Sequence, residues 1–325
     1  MKTWIDFDAA PVFAIPLTDA LDGRTACEGM LIEGPQGWGE FSPPPGCGDR
    51  LAARWLMAAI EVGTVGWPDP ARGRIPVAAT VPAVDSARAA EIVRGSGCTA
   101  VAVHVGSPSL ADDIARVEAV RDALGPHGTI RCDADGRWDP DTAVTAIAAL
   151  EQAAGRLEFI EQPCRTLDEI AAVRRKVGVG VAVAVDQSIR DAADPLGLDL
   201  TEAADIAVLT VSPLGGVRRA LRVAETCGLP CVVSAAVESS IGIAGALALA
   251  GVLPEHPMAA EVGMAALLAG DVVSAGRSLI PVGGQLPVAP MPAGPDPERL
   301  AGFGVTDAAT VTRWRERLSA AQVFL

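Results

Sequence analysis

From residue 75 onward, short apolar runs rich in β-branched residues alternate with stretches whose apolar positions recur every three or four residues. Runs of the first kind predict buried strands, and those of the second kind predict amphipathic helices, several of them closed by glycine. Because the predicted strands are apolar throughout, we expect them to be parallel and covered by helices. The predicted strands span residues 75–83, 100–106, 129–136, 157–163, 181–187, 205–213, 229–236 and, by a weaker pattern, 258–264.

Seven or eight such strand–helix units, repeating at roughly 25 residues, favour a closed α/β barrel; an open doubly wound sheet is the structural alternative. Residues 1–73 differ, because two short runs flank the turn sequence GPQG and a helical stretch follows them. This pattern predicts a small α+β domain over residues 1–73. The barrel is predicted to span residues 74–269. The segment from about 270 to 325 is rich in Gly and Pro and ends in a helical pattern, so we expect it to pack back on the N-terminal domain and complete it.

Composition narrows the class of partner. The chain has 325 residues, of which 50% are hydrophobic, and its net charge is −14. A chain this acidic is a poor partner for nucleic acid or for an anionic membrane, so a small-molecule substrate is expected instead. No apolar run reaches the roughly 18 residues of a membrane span. The sequence leaves open whether the chain forms a homo-oligomer.

The seven cysteines indicate a reducing compartment. Their number is odd and several stand within apolar runs, which favours free thiols in a cytoplasmic protein over a disulfide framework. Cys227 and Cys231 are four residues apart, but no second Cys/His pair has the spacing of a zinc site. The N-terminal segment also carries acidic residues where a signal peptide needs apolar ones.

The ends of the predicted strands carry polar residues. In a parallel barrel these ends form the active-site face. Carboxylates on three successive strands would converge and repel one another unless a cation lay between them, and oxygen-only ligands suit Mg²⁺ or Mn²⁺. The alternative is that each acid caps a helix or pairs with a basic residue. In chain order the strand-end residues are His104, Asp133, Asp135, Glu161, Gln162, Asp186, Gln187, Thr210, Ser212 and Ser234, with Glu238 in the following loop.

The spaced set DADG, EFIEQP, VDQS and TVSPLGG resembles the enolase superfamily. The segments GWGEFSP, SLADDIARVEAVRDALG and SAAVESSIGIAGALALA are similar to its o-succinylbenzoate synthase group, and the resemblance covers essentially the whole chain. It implies an N-terminal α+β capping domain over a modified (β/α)₇β TIM-like barrel. It also implies that Asp133, Glu161 and Asp186 hold Mg²⁺ or Mn²⁺.

The chain departs from that family at the positions of its active-site lysines. Ala102 and His104 stand where the family has a Lys-x-Lys pair, and Thr210 replaces a third lysine. Asp135 replaces an Asn that usually follows the first metal ligand, and Gln187 replaces a Glu that usually follows the third. The only lysines of the chain are Lys2 and Lys176, so no other barrel strand supplies one.

His104 therefore occupies the position of the family's proton-abstracting lysine. An imidazole with an ordinary pKa near 6.5 can act as a base at neutral pH. The alternative is a histidine held by neighbouring carboxylates after catalysis was lost. Asp135 and Thr210 are further catalytic candidates. The candidates for substrate binding are Arg24, Ser212, Ser234 and Glu238.

Three functional readings follow from these residues. The first is a diverged o-succinylbenzoate synthase-like enzyme that dehydrates, isomerises or cyclises a small organic substrate in specialised biosynthesis. The second is a genuine o-succinylbenzoate synthase of menaquinone biosynthesis, against which the missing lysines count. The third is a non-catalytic ligand-binding homologue that keeps the fold as a scaffold.

Overall fold

The N-terminal region is built on a three-stranded antiparallel sheet. The computed structural model describes residues 5–21, 23–254 and 258–325. The sheet consists of β1 (Val12–Leu21), β2 (Arg24–Glu33) and β3 (Trp38–Phe41) in that order, and helix α1 (Asp49–Thr64) packs on it. Strands β2 and β3 are the predicted hairpin. Strand β1 is missing from the sequence prediction because Pro16 interrupts its apolar run, a signal that argues against a strand interior.

Seven parallel strands form the largest sheet. They are joined by helices, as the alternation of patterns predicts. In chain order, the elements are β4 (Arg74–Pro76), β5 (Ala78–Val81), α2 (Ser86–Ser96), β6 (Ala100–His104), α3 (Leu110–Leu124), β7 (Thr129–Asp133), α4 (Pro140–Ala154), β8 (Leu157–Glu161), α5 (Leu167–Val177), β9 (Val183–Val185), α6 (Gln187–Arg190), β10 (Ile206–Thr210), α7 (Val211–Leu214), α8 (Val217–Cys227), β11 (Cys231–Ser234) and α9 (Ser240–Val252). The parallel sheet runs in the order β5 to β11.

A short segment after α9 joins the two edges of this sheet. Ala260 forms a parallel bridge with Val77 beside β5, and Glu261 forms one with Ser234 at the end of β11. This is the eighth predicted strand, reduced to two bridges, after which Gly263–Leu267 turns into a 3₁₀-helix. The sheet is thus closed into a modified (β/α)₇β barrel, which confirms the predicted fold class and excludes the open doubly wound sheet.

The C-terminal segment contacts the rest of the fold at β4, at β1 and at α1. It contains β12 (Gln285–Pro287), α10 (Pro297–Phe303) and α11 (Ala308–Gln322), and β12 pairs with β4. Helix α11 packs on α1, and its Trp314 also meets Phe41 of β3 edge-on, with ring centroids 6.1 Å apart. The exact domain boundary at residues 73 and 74 stays a prediction.

Candidate active site

A cavity of about 580 Å³ opens at the carboxyl ends of the barrel strands. The N-terminal region forms its other wall with Arg24, the segment 44–48 and Trp55. The cavity thus lies between the two regions, where a barrel enzyme is expected to bind its substrate. The polar barrel residues that line it are Thr80, His104, Asp133, Asp135, Glu161, Asp186, Gln187, Arg190, Asp191, Thr210, Ser234 and Glu261.

Strand register brings the predicted histidine and carboxylates together. His104 is paired with Asp133 across β6 and β7, and Asp133 is paired with Glu161 across β7 and β8. Asp186 follows the next strand, β9, at the start of α6. These side chains therefore end neighbouring strands of one sheet and face one cavity.

Burial and charge repulsion raise the pKa values of two of the cavity carboxylates, Glu161 and Asp186. Burial raises the pKa of Glu161 well above its usual range, and the negative charges of Glu261, Asp133 and Asp186 raise it further. Burial also raises the pKa of Asp186 to about 6, although nearby Arg190 and a hydrogen bond from Thr210 oppose that shift. A cation among these groups would remove the repulsion.

The chemistry of this donor set fits Mg²⁺ or Mn²⁺. Asp133, Glu161 and Asp186 offer only hard oxygen atoms, and the Oε1 atom of the adjacent Gln187 is buried with no hydrogen-bond partner in the described parts of the chain. Nowhere in residues 5–21, 23–254 and 258–325 are three His, Cys, Asp or Glu side chains already grouped to hold a metal ion.

His104 has an acidic neighbour and a fixed backbone. Its Nδ1 atom lies 3.7 Å from Oδ2 of Asp133, a distance that allows electrostatic attraction but exceeds a hydrogen bond. Its side chain is 14% exposed, so a substrate in the cavity can reach it. Its carbonyl oxygen accepts a 3.0 Å hydrogen bond from buried Arg116, which is paired with Asp113. This pair secures the end of β6 from behind.

The other two catalytic candidates are hydrogen-bonded to site residues. Thr210 donates from Oγ1 to Oδ1 of Asp186 at 3.0 Å, so it orients a predicted metal ligand. Asp135 accepts a 2.7 Å hydrogen bond from the side-chain amide of Gln187. Its backbone has a φ of 50°, in the left-handed region, which is uncommon for a residue with a side chain. Asp135 and Gln187, the two positions at which the sequence analysis expects departures from the family pattern, thus bind each other.

The four substrate-binding candidates divide into two pairs. Arg24 and Ser234 line the cavity. Ser212 and Glu238 are buried, and the Ser212 hydroxyl donates to Oε1 of Glu238. Burial raises the pKa of Glu238 to about 7, and the charge of nearby Glu40 adds to the shift. Neither Ser212 nor Glu238 is among the residues that line the cavity.

Arg190 is a cavity residue that the sequence analysis misses. It lies one helical turn after Asp186, and its Nη1 atom is 3.4 Å from Oδ2 of that residue. Its Nε atom pairs with Asp191 at 3.1 Å. The cavity therefore contains a guanidinium beside one predicted metal ligand. The i, i+4 spacing of Asp186 and Arg190 is the signal that would have identified it.

The barrel interior also holds an ion cluster that sequence patterns do not predict. The side chain of Arg131, on β7, is 1% exposed, and it contacts Glu158 at 2.5 Å and Glu261 at 3.0 Å. Glu261 belongs to the reduced eighth strand and also lines the cavity. Arg131 thus supplies a positive charge below the carboxylates, where it lowers the pKa of Glu161 against the larger effect of burial.

Comparison with family models matches both regions of the chain. Residues 12–63 match the model described as enolase N-terminal domain-like, and residues 85–306 match the one described as enolase C-terminal domain-like. The o-succinylbenzoate synthase of Thermobifida fusca is 51% identical over 312 residues, 95% of each chain. That of Mycolicibacterium smegmatis is 44% identical over 299 residues, 91% of this chain and 90% of the relative.

Solved structures share the fold at lower identity. Muconate lactonizing enzyme from Pseudomonas putida superposes with a TM-score of 0.76 at 19% identity, covering 93% of this chain and 99% of that one. A dipeptide epimerase from Enterococcus faecalis V583 gives 0.73 at 23% identity, covering 89% and 97%. In the parts of the chain that the structure describes, no helix is long and apolar enough to cross a membrane.

Proposed function

Because the chain belongs to the enolase superfamily, as a lyase- or isomerase-type enzyme, we propose that it dehydrates a cyclic carboxylate to o-succinylbenzoate. The observation that carries this proposal is the position of His104. It ends β6 beside Asp133, in a cavity that also contains Glu161 and Asp186. The names and full-length coverage of the close relatives favour this reading over the diverged, specialised enzyme that the sequence also suggests.

The product defines what the substrate must contain. A dehydration that creates a benzoate ring starts from a cyclohexadiene carboxylate that carries a hydroxyl group and a proton on adjacent carbons. The base removes that proton, the C–O bond breaks, and the hydroxyl leaves as water after it gains a proton. His104 is the side chain best placed to accept the ring proton, and its imidazolium can return a proton to the leaving hydroxyl.

Neighbouring side chains support each of these tasks. Asp133 lies 3.7 Å from Nδ1 of His104 and stabilises the imidazolium that forms. Asp133, Glu161 and Asp186 are the residues that would hold Mg²⁺ or Mn²⁺. When bound, a divalent cation supplies positive charge that stabilises a developing negative charge on a substrate carboxylate. Arg24 and Arg190 line the same cavity, and either guanidinium matches the second carboxylate of o-succinylbenzoate.

A specific observation favours a second candidate, the diverged enzyme. Among the described residues that line the cavity there is no lysine, and Ala102 and Thr210, which stand where the resemblance implies lysines, carry no positive charge. Lys176 lies on α5, paired with Asp141, and Lys2 lies outside the described residues. A substrate whose proton is more acidic, or whose leaving group is better, needs less help from a cationic site. Such a substrate would keep the same acid–base role for His104.

The experiment that separates these candidates is a product assay. The purified protein with millimolar Mg²⁺ is incubated with the hydroxycyclohexadiene precursor, and o-succinylbenzoate is separated by chromatography. The proposal predicts product formation in proportion to the protein added and at a rate above the uncatalysed dehydration. A rate equal to that background would reject o-succinylbenzoate formation and leave the diverged enzyme or a non-catalytic binding protein. We place the activity in the cytoplasm, because all seven cysteines are free.

A further inference from the structure

Two cysteines lie together at the end of the barrel opposite the cavity. Cys227 is the last residue of α8, and Cys231 is the first residue of β11. The connection between them is only three residues long, and Gly228 in the left-handed region reverses the chain. The two residues therefore belong to different elements but are close in both sequence and space.

The geometry of this pair suits reaction between its sulfur atoms. The two Sγ atoms are 3.9 Å apart. Cys227 is half-buried and can meet a small reagent, whereas Cys231 is 8% exposed and lies directly behind it. The two thiols share one hydrogen bond in which either sulfur can be the donor, and a bond donated by Cys231 lowers the pKa of Cys227. Cys227 is the more accessible of the two thiols, so it is the one that a reagent meets first, as an attacking nucleophile requires.

The other five cysteines do not form such a pair. Cys27, Cys132 and Cys164 are fully buried, Cys98 is 7% exposed, and Cys47 lies far away at the cavity. Burial raises the pKa values of all five. Reaction at the described thiols should therefore concentrate on Cys227.

We propose that Cys227 and Cys231 form a thiol-oxidation site that reacts with small disulfides and closes to an intramolecular disulfide bond. The Cys227 thiolate attacks one sulfur of the reagent, such as glutathione disulfide, and releases one thiolate. The sulfur of Cys231 then attacks Sγ of Cys227 and releases the second. The protons of the two cysteines pass to the released thiolates, so one disulfide is reduced as one is formed.

The test counts thiols and does not depend on the catalytic activity. The folded protein is treated with glutathione disulfide, acid-quenched, unfolded, alkylated and analysed by mass spectrometry. We expect the number of alkylated thiols to fall from seven to five, with no glutathione retained and with recovery of all seven after reduction. Cys47→Ser is the matched control, and we expect it to lose two of its six thiols in the same way.

Variants of the pair distinguish the two steps. Cys231→Ser, and Cys231→Ala as a second variant against misfolding, should retain one glutathione on Cys227, because nothing resolves the mixed disulfide. Cys227→Ser should keep all six of its thiols. Seven alkylated thiols in the treated wild-type protein, or glutathione that stays on its Cys227 while Cys231 is alkylated, would overturn the proposal.

Discussion

His104 and Asp133 face each other across two neighbouring strands, with 3.7 Å between Nδ1 and Oδ2. In the proposed reaction, this contact would let His104 move a proton without the help of a lysine on a barrel strand. A neutral imidazole needs no desolvation to act as a base near pH 7, and a carboxylate beside it favours its charged form. The same carboxylate is a predicted metal ligand, so the proposed function gives Asp133 two tasks: orienting the base and holding the cation.

Replacing this imidazole is the first prediction. His104→Ala should lower the turnover number by about 10²–10⁴, the usual effect of losing a general acid–base group. His127→Ala is the control, because His127 is exposed in a turn and should leave turnover unchanged. Steady-state kinetics with the hydroxycyclohexadiene precursor measures the turnover of both variants. Equal turnover of His104→Ala and the wild-type protein would remove His104 from the mechanism.

At the residue scale the sequence predicts the ends of apolar strands well, because a buried run that stops at a carboxylate is a local signal. That signal identifies Asp133, Glu161 and Asp186 as neighbours at the carboxyl ends of the strands, and all three line the cavity. It does not identify Arg131 or Glu261, because their pairing joins β7 to a segment about 130 positions away along the chain. The hydrogen bond between Asp135 and Gln187 cannot be predicted from the sequence either, because the two residues are 52 positions apart.

At the scale of elements, the N-terminal region caps the start of α8 and adds to the cap of α9, where Ser239 already accepts a hydrogen bond from the amide of Ile241. Gly216 precedes α8 and has no side chain to cap it, and Glu61 of α1 instead accepts hydrogen bonds from the backbone amides of Val217 and Arg218. A Cβ atom at residue 216 would collide with that carboxylate. The carboxylate of Glu40, on β3, accepts hydrogen bonds from the backbone amides of Ser239 and Gly242 at the start of α9. Two carboxylates thus fasten the barrel helices to the neighbouring sheet and helix.

Removing one of these caps is the second prediction. Glu61→Ala should lower the free energy of unfolding by roughly 1–2 kcal/mol, because two amides at the start of α8 lose their acceptor. Glu118→Ala, at an exposed position of α3, should change it by less than about 0.5 kcal/mol. Urea denaturation monitored by circular dichroism measures both. Indistinguishable unfolding midpoints would show that Glu61 does not fasten α8.

At the scale of the whole molecule, the alternation of strands and helices is the part of the fold that the sequence predicts. The order of the seven-stranded sheet follows from consecutive right-handed crossovers, which need no long-range information. The closing strand is the weakest of the predicted strands. The segment forms only the bridges at Ala260 and Glu261, so few of its residues carry a strand pattern. The cavity depends on the packing of both regions, so its volume could not be predicted either.

The buried Glu238 gives the third prediction, a pH dependence of stability. Its pKa is raised to about 7 in the folded protein, from an ordinary value of about 4.5. The folded state therefore holds this proton more tightly than the unfolded state does. Its contribution is full below about pH 4.5 and is lost as the pH rises through about 7.

Glu238→Gln should remove this dependence, because the amide does not titrate and keeps an oxygen for Ser212. Between pH 5 and pH 8 the wild-type protein should lose on the order of 2 kcal/mol of unfolding free energy through this group, and the variant should not show that loss. Urea midpoints at the two pH values supply the comparison. Parallel pH curves for the two proteins would contradict the raised pKa.

The central claim is that the cavity binds a divalent cation. Its most direct test is the melting temperature of the wild-type protein, measured with and without millimolar Mg²⁺. A ligand that binds only the folded state adds about 2.7 kcal/mol when it is present at a hundred times its Kd, so we predict a rise of several degrees. Asp133→Asn removes one carboxylate charge and should abolish that rise. An unchanged wild-type melting temperature, or an equal rise in Asp133→Asn, would contradict a cation held by Asp133, Glu161 and Asp186.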